Sequence, residues 1–184
     1  MKLLVLLPIL AGLLGFVGWR HHERAMHIRH FNAIASEIAG RKVTVHCPNA
    51  IAALVDVSAE QGTVMFRNQV PDEHTDVKKE ICDDLIRVEN GDSIPFARAA
   101  TAVEVLAHES FHLRGFMDEA VTECYAVQTE ASVAEQLGVD AKHAHTMAVY
   151  SDARIPDYLP EEYSTPDCHD GGPLDLHPGS AVWP

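Results

Sequence analysis

The residues best equipped for chemistry lie in Ala102-Val-Glu-Val-Leu-Ala-His108-Glu109-Ser-Phe-His112-Leu-Arg-Gly115. The pattern is H-E-x-x-H. On a helix, two histidines four residues apart stand on one face, one turn from each other, so both imidazoles can reach a single tetrahedral ion. Glu109 points to the side of that pair, where its carboxylate can take a proton from a water activated by the ion. Ala107, Ser110 and Phe111 are uncharged and Leu113 is apolar, as a buried site helix requires. A zinc site needs a third protein ligand, and Asp118-Glu119-Ala-Val-Thr-Glu123-Cys124 supplies candidates. Gly115-Phe-Met should break the first helix and fold the next one back on it. In such a hairpin Glu119 falls near His112 and Glu123 near His108, because positions i and i+4 share a helix face. One carboxylate can ligate the ion. The other can accept the N–H of a ligand imidazole and so fix its tautomer and orientation.

H-E-x-x-H followed by E-x-x-x-acid on a second helix resembles the zincin metallopeptidases of the gluzincin type, thermolysin being the familiar member. The resemblance covers only the stretch that carries these residues. By match, Asp118-Glu119-x-x-x-Glu123 makes Glu119 the third zinc ligand and Glu123 the acid that orients a histidine, with Glu standing where the family has Asp. It implies peptide hydrolysis on a peptide or protein substrate, with Glu109 accepting the proton of water and passing it to the leaving amine. The chain is also similar to small exported bacterial proteins sharing an H-E-S-x-H-L-x-G…D-E-A-x-T-E-C segment. A rival register stays open: His108-Glu-x-x-His-x-x-Gly-x-x-Asp118 fits the metzincin pattern, with Asp118 as third ligand. Two other readings stay open as well. The metal could serve only to stabilise the hairpin of a non-catalytic exported protein. Alternatively, Glu109-x-x-His112 and Asp140-x-x-His143 could be the ligand pairs of a di-metal carboxylate bundle. His143 and His145 are expected on the surface, and Tyr125 and Tyr150 in core or edge roles.

Positioning these groups is the task of a helical segment. Apolar spacing predicts a helix over Phe96–Arg114 closed by Gly115. A second runs from the N-cap Asp118 to Leu137 before Gly138, and a third from Asp140 to about Arg154. The proline-rich tail from about 156 is expected to be extended and irregular. Upstream, 21–40 looks helical and stops at Gly40, with His21, His22, His27 and His30 forming a cationic juxtamembrane surface. Strands are expected at Lys42–Cys47 and Gly62–Arg67, a helix or strand at 51–57, a loop over 68–80 and a short helix at Ile81–Val88. The expected class is α+β. Its divisions are an anchor at 1–20, a juxtamembrane helix at 21–40 and one zincin-like domain at 41–184.

Charge is distributed unevenly. The net charge is −13. Residues 1–45 carry 6 Lys/Arg against 2 Glu, which leaves −17 for the remainder. A body so acidic repels phosphate backbones and disfavours nucleic-acid binding. The uncharged run Leu3 to Trp19 reads as an uncleaved membrane anchor. The four cysteines are even in number and form no C-x-x-C pair, which suits two disulfides in an oxidising compartment. Of the three possible connectivities, Cys47–Cys82 and Cys124–Cys168 join neighbouring parts of the chain and are expected. The protein is accordingly expected outside the cytoplasm, held at the membrane, or secreted if its first segment is cleaved.

Overall fold

A computed structural model of the protein describes residues 3–49 and 60–184, without the side chains of 3–14, 16–17 and 156–158. The architecture is α+β, with five α-helices and one three-stranded sheet among the described residues. Helix α1 (Leu3–Ala39) precedes strands β1 (Thr44–His46), β2 (Gly62–Arg67) and β3 (Val70–Val77). Helices α2 (Lys79–Glu89), α3 (Phe96–Arg114), α4 (Glu119–Gln136) and α5 (Ala141–Tyr158) follow, then a 3-10 turn at Glu161–Tyr163.

Helix α3 is the hub, touching α1, α2, α4, α5, β2 and β3. Its apolar face is rich in small residues: Ala99, Ala100, Ala102 and Ala107 are buried beside Val103, Leu106 and Leu113. Alanine favours the helix and lets neighbouring elements approach closely. The expected punctuation is present. Gly115 closes α3 in the left-handed region at φ 116°, where a Cβ would be strained. Asp118 caps α4 by accepting from the Val121 N–H at 2.9 Å. The short link between them lays α4 against α3, and α5 packs on α4. Arg41 locks the sheet to this end of α3 by donating to the carbonyls of Leu113 at 3.1 Å and Asp72 at 2.7 Å.

The stretch expected to be a loop at 68–80 contains β3, which is the central strand. Sheet order is β1-β3-β2, with β3 parallel to β1 and antiparallel to β2. Asn68 and Gln69 both adopt positive φ, 53° and 66°, and so form a tight hairpin turn without glycine. The strand is hard to see in the sequence because one face is solvated. His74 and Asp76 point outward, while only Thr75 and Val77 are buried.

The expected division between 20 and 21 and the expected extended tail are revised. No break separates 1–20 from 21–40, because α1 is continuous. Its last turns bury Phe31, Ile34, Ala35 and Ala39, so this end of the helix belongs to the core rather than to a juxtamembrane segment outside the domain. Among the described residues, no helix is long and apolar enough to cross a membrane. Most side chains of the expected anchor lie outside those described, as does the expected element at 51–57. The tail is folded rather than extended. Helix α5 continues to Tyr158, and Gln128 then straps the tail to α4, donating to the Leu174 carbonyl at 3.0 Å and accepting from the Leu176 N–H at 2.7 Å. Both disulfides form as expected, Cys47–Cys82 and Cys124–Cys168, with Cα–Cα distances of 5.8 and 5.6 Å. They suit an oxidising, extracytoplasmic setting.

Candidate metal centre

The α3–α4 hairpin brings His108, His112 and Glu119 together. Nε2 of His108 lies 2.9 Å from Nε2 of His112, and each lies 3.2 Å from Oε2 of Glu119. The remaining ring nitrogens are already committed. Nδ1 of His112 donates to the Phe116 carbonyl at 2.8 Å, and a carbonyl can only accept. Nδ1 of His108 lies 2.8 Å from Oε2 of Glu123. With both Nδ1 protons placed, the neutral rings turn two lone pairs and a carboxylate oxygen toward one point. A tetrahedral zinc with bonds of about 2.0–2.1 Å spaces its ligand atoms about 3.3 Å apart. The three atoms nearly match that spacing. The donor set, two imidazoles and one carboxylate, is one that binds a divalent ion such as zinc.

Charge at the site follows from these contacts. Burial opposes a charge on His108, yet hydrogen bonds to Glu119 and Glu123 push it up to about 10. His112 is lowered, by burial and then by the charge on His108. Glu119 is lowered, chiefly by its hydrogen bond to His108.

Glu109 sits beside this cluster under the sheet. The Thr75 hydroxyl donates to its Oε2 at 3.0 Å. Gly62 lies so near that a Cβ there would meet Oε1 at 2.5 Å. Burial raises Glu109 to about 7, which suits a group that must accept and release a proton near neutrality. Strand β2 continues along the site to Phe66, whose ring meets His112 edge-on at 6.1 Å. On the opposite side, Tyr163 of the tail lies against His108, with ring centroids 5.8 Å apart. Burial, with Glu119 and Glu123 nearby, holds its phenol protonated up to about 12.

Other expected residues fall elsewhere. Asp118 is an exposed helix cap outside the convergent atoms. Asp140 caps α5 and pairs with exposed His143 at 2.5 Å, so the second ligand pair of a di-metal bundle is not at this site. Tyr125 packs with Phe111 and Phe116, and Tyr150 with Phe96. Cys124 is spent in a disulfide. Gly62, Thr75 and Tyr163 carry no signal in the sequence, because their roles come from distant segments. Glu104, which presents a ligand atom within 4.8 Å of those of His108 and Glu123, could have been found by extending the motif face to i−4 from His108.

No family model, curated protein or solved structure matches this chain.

Proposed function

We propose that the protein is a zinc-dependent peptidase of the gluzincin type, exported and held at the membrane by its first segment. The observation that carries this reading is the convergence of His108 Nε2, His112 Nε2 and Glu119 Oε2 while both Nδ1 atoms are occupied. His108, His112 and Glu119 would hold the ion, and Glu123 orients His108 through Nδ1. Zinc bound there supplies Lewis acidity, which makes water a nucleophile near neutral pH and polarises a scissile carbonyl.

Glu109 is the general base. Thr75 occupies Oε2, so Oε1, in the space that Gly62 leaves open, is the oxygen free to take the proton of the attacking water. The same oxygen then returns the proton to the leaving amine. Tyr163, kept protonated by the surrounding carboxylates, is a neutral donor for charge developing on the carbonyl oxygen. A cavity of about 630 Å³ bordered by Glu119, Glu161 and Glu162 lies beside the third ligand. Two disulfides support the oxidising compartment.

A second reading is favoured by one observation. The side chains of His108 and His112 are each only 9% exposed, as suits a metal that stitches α3 to α4 without catalysis. Glu109→Gln separates the two. Zinc-loaded wild type should cleave a broad peptide library, and the variant should keep its zinc while losing about 10²- to 10⁴-fold in rate. Zinc-loaded wild type that cleaves nothing would select the structural role. A fully active variant would remove Glu109 from the mechanism.

A further inference from the structure

Among the described residues, the walls around the candidate metal centre are of unequal strength. Helices α3 and α4 form one wall and carry the three convergent atoms. The sheet forms a second, with Phe66 against His112 and with Gly62 and Thr75 against Glu109. Both walls are rooted in the core: residues 105–113 of α3 are all buried, and so are Val64, Thr75 and Val77 of the sheet. The tail forms the third wall. Its 3-10 turn packs on α4, Tyr163 lies against His108, and Glu161, Glu162, Thr165 and Asp167 line the cavity of about 630 Å³ together with Glu119.

This third wall is held differently. From 159 to 184 no residue is buried, so apolar burial does little to fix it to the core. The tail leaves α5 through Leu159 and Pro160 in extended backbone. Part of its hydrogen bonding stays within it. The Gly172 N–H donates to the His169 carbonyl at 2.8 Å, and Asp175 accepts from the N–H groups of Gly171 and His177 at 2.8 and 2.7 Å. A loop closed on itself in this way can move as a unit. The tail is joined to the body by the two hydrogen bonds of Gln128 to Leu174 and Leu176, by Trp183 against Asp152, and by one covalent bond, Cys124–Cys168. Cys124 directly follows Glu123 on α4, and Cys168 stands five residues after Tyr163. The disulfide thus clamps the tail beside the residues that meet at the site. Segments with few buried contacts and solvated hydrogen bonds open locally at small cost, and a crosslink restricts that opening.

We propose that 159–184 is a strap that gates the metal centre, with Cys124–Cys168 as its latch. Ions and solvent reach His108 and His112 when the strap swings away from α4, and the latch keeps such openings rare. A dithiol reductant releases it. The S–S bond breaks, two electrons and two protons pass to the sulfurs of Cys124 and Cys168, and the reductant closes to its own disulfide. All three convergent atoms belong to α3 and α4, so an open strap removes none of them. Opening should therefore speed uptake and release of the ion by the same factor and leave the affinity unchanged. This inference rests on the metal-centre reading of the hairpin and not on peptidase activity.

The test uses the full chain with zinc as the probe. Release into excess chelator and uptake from a zinc-responsive dye are timed by stopped flow. The Cys124→Ala, Cys168→Ala double variant should exchange zinc at least tenfold faster in both directions, with an unchanged dissociation constant. Gln128→Ala, which keeps both bridges, should accelerate both rates by a smaller factor. The Cys47→Ala, Cys82→Ala double variant removes the bridge between the end of β1 and α2 and should exchange at the wild-type rate. In metal-free protein, modification of His108 by diethyl pyrocarbonate, located by mass spectrometry, should also rise at least tenfold once the latch is removed. Wild type that binds no zinc while the latch variant shows this faster modification would sink the metal reading and keep the strap. Exchange and modification unchanged in the latch variant would overturn the strap. Faster release with unchanged uptake would do the same, because the tail would then support the ligands instead of gating them. Equal acceleration in the Cys47→Ala, Cys82→Ala control would also overturn it. Melting curves check folding, and if the latch variant does not fold, Gln128→Ala decides alone, with wild-type rates counting against the strap.

Discussion

Helix α1 and helix α3 each carry a pair of histidines within one turn, and each pair meets glutamate, yet the results differ. In α1, Nδ1 of His27 and Nδ1 of His30 both turn to Glu89, at 2.6 and 2.5 Å. Each imidazole meets its own carboxylate oxygen, and the contact is complete as a pair of hydrogen bonds tying α1 to α2. In α3 the Nδ1 atoms are spent on Phe116 and Glu123, and the Nε2 atoms turn toward each other and toward Glu119. Two imidazole nitrogens 2.9 Å apart cannot both present lone pairs unless a cation or a proton lies between them. The difference teaches that histidine density is not what makes a candidate metal site. What matters is which ring nitrogen the surroundings leave free.

The largest expected effect tests that contrast directly. His108→Ala and His112→Ala should each abolish stoichiometric zinc, whereas His27→Ala and His30→Ala should leave it unchanged. Elemental analysis of purified protein decides this, and zinc surviving in the His108→Ala, His112→Ala double variant would erase the distinction between the helices. Next come the two glutamates. Glu119→Ala removes a ligand atom and should lose most of the zinc. Glu123→Ala removes only an orienting partner and should weaken binding about 10- to 100-fold. Competition against a chelator ranks them, and the reverse order would exchange their roles.

Gly62→Ala should act on the base rather than on the metal. Its methyl group would enter the space of Oε1 of Glu109, so turnover should fall about tenfold or more while zinc content holds, given that displacements of about 1 Å can cost 10²-fold. Equal turnover in wild type and variant would mean that Glu109 has room to spare.

The smallest effect is on pH dependence. In the metal-free protein the pKa of His108 rises from 6.5 to about 10. Protonation therefore stabilises the fold fully below about 6.5, and that contribution fades as pH rises through about 10. Zinc must displace the proton, so uptake at pH 8 should release it and should weaken as pH falls. Calorimetry in buffers of different ionisation enthalpy measures the release. A binding enthalpy independent of the buffer would show that His108 is neutral before the ion arrives.

The sequence by itself determined the helices that carry the candidate site, because their signals are local. Asp118 caps α4 through its own next turn, and Gly115 ends α3 by adopting a backbone that other residues resist. The apolar spacing of 96–114 set α3 as a buried helix, and i, i+4 geometry was enough to expect both glutamates beside the histidines. The even cysteine count was enough to expect two bridges, but the choice among three connectivities is made by the fold. Tertiary structure alone decided the rest. Strand β3 owes its place to partners on both sides rather than to its own polar residues. Thr75 and Gly62 became neighbours of Glu109 only when the sheet settled on α3, and Tyr163 reached His108 only because the tail is bound to α4. Glu130 looks in sequence like any solvated helix acid, and its burial is imposed by the packing of α5 over α4. Helix caps and turns act through the nearest residues along the chain. The proton state and free lone pairs of a buried side chain are set by whatever the fold brings against it, and sequence distance says nothing about that.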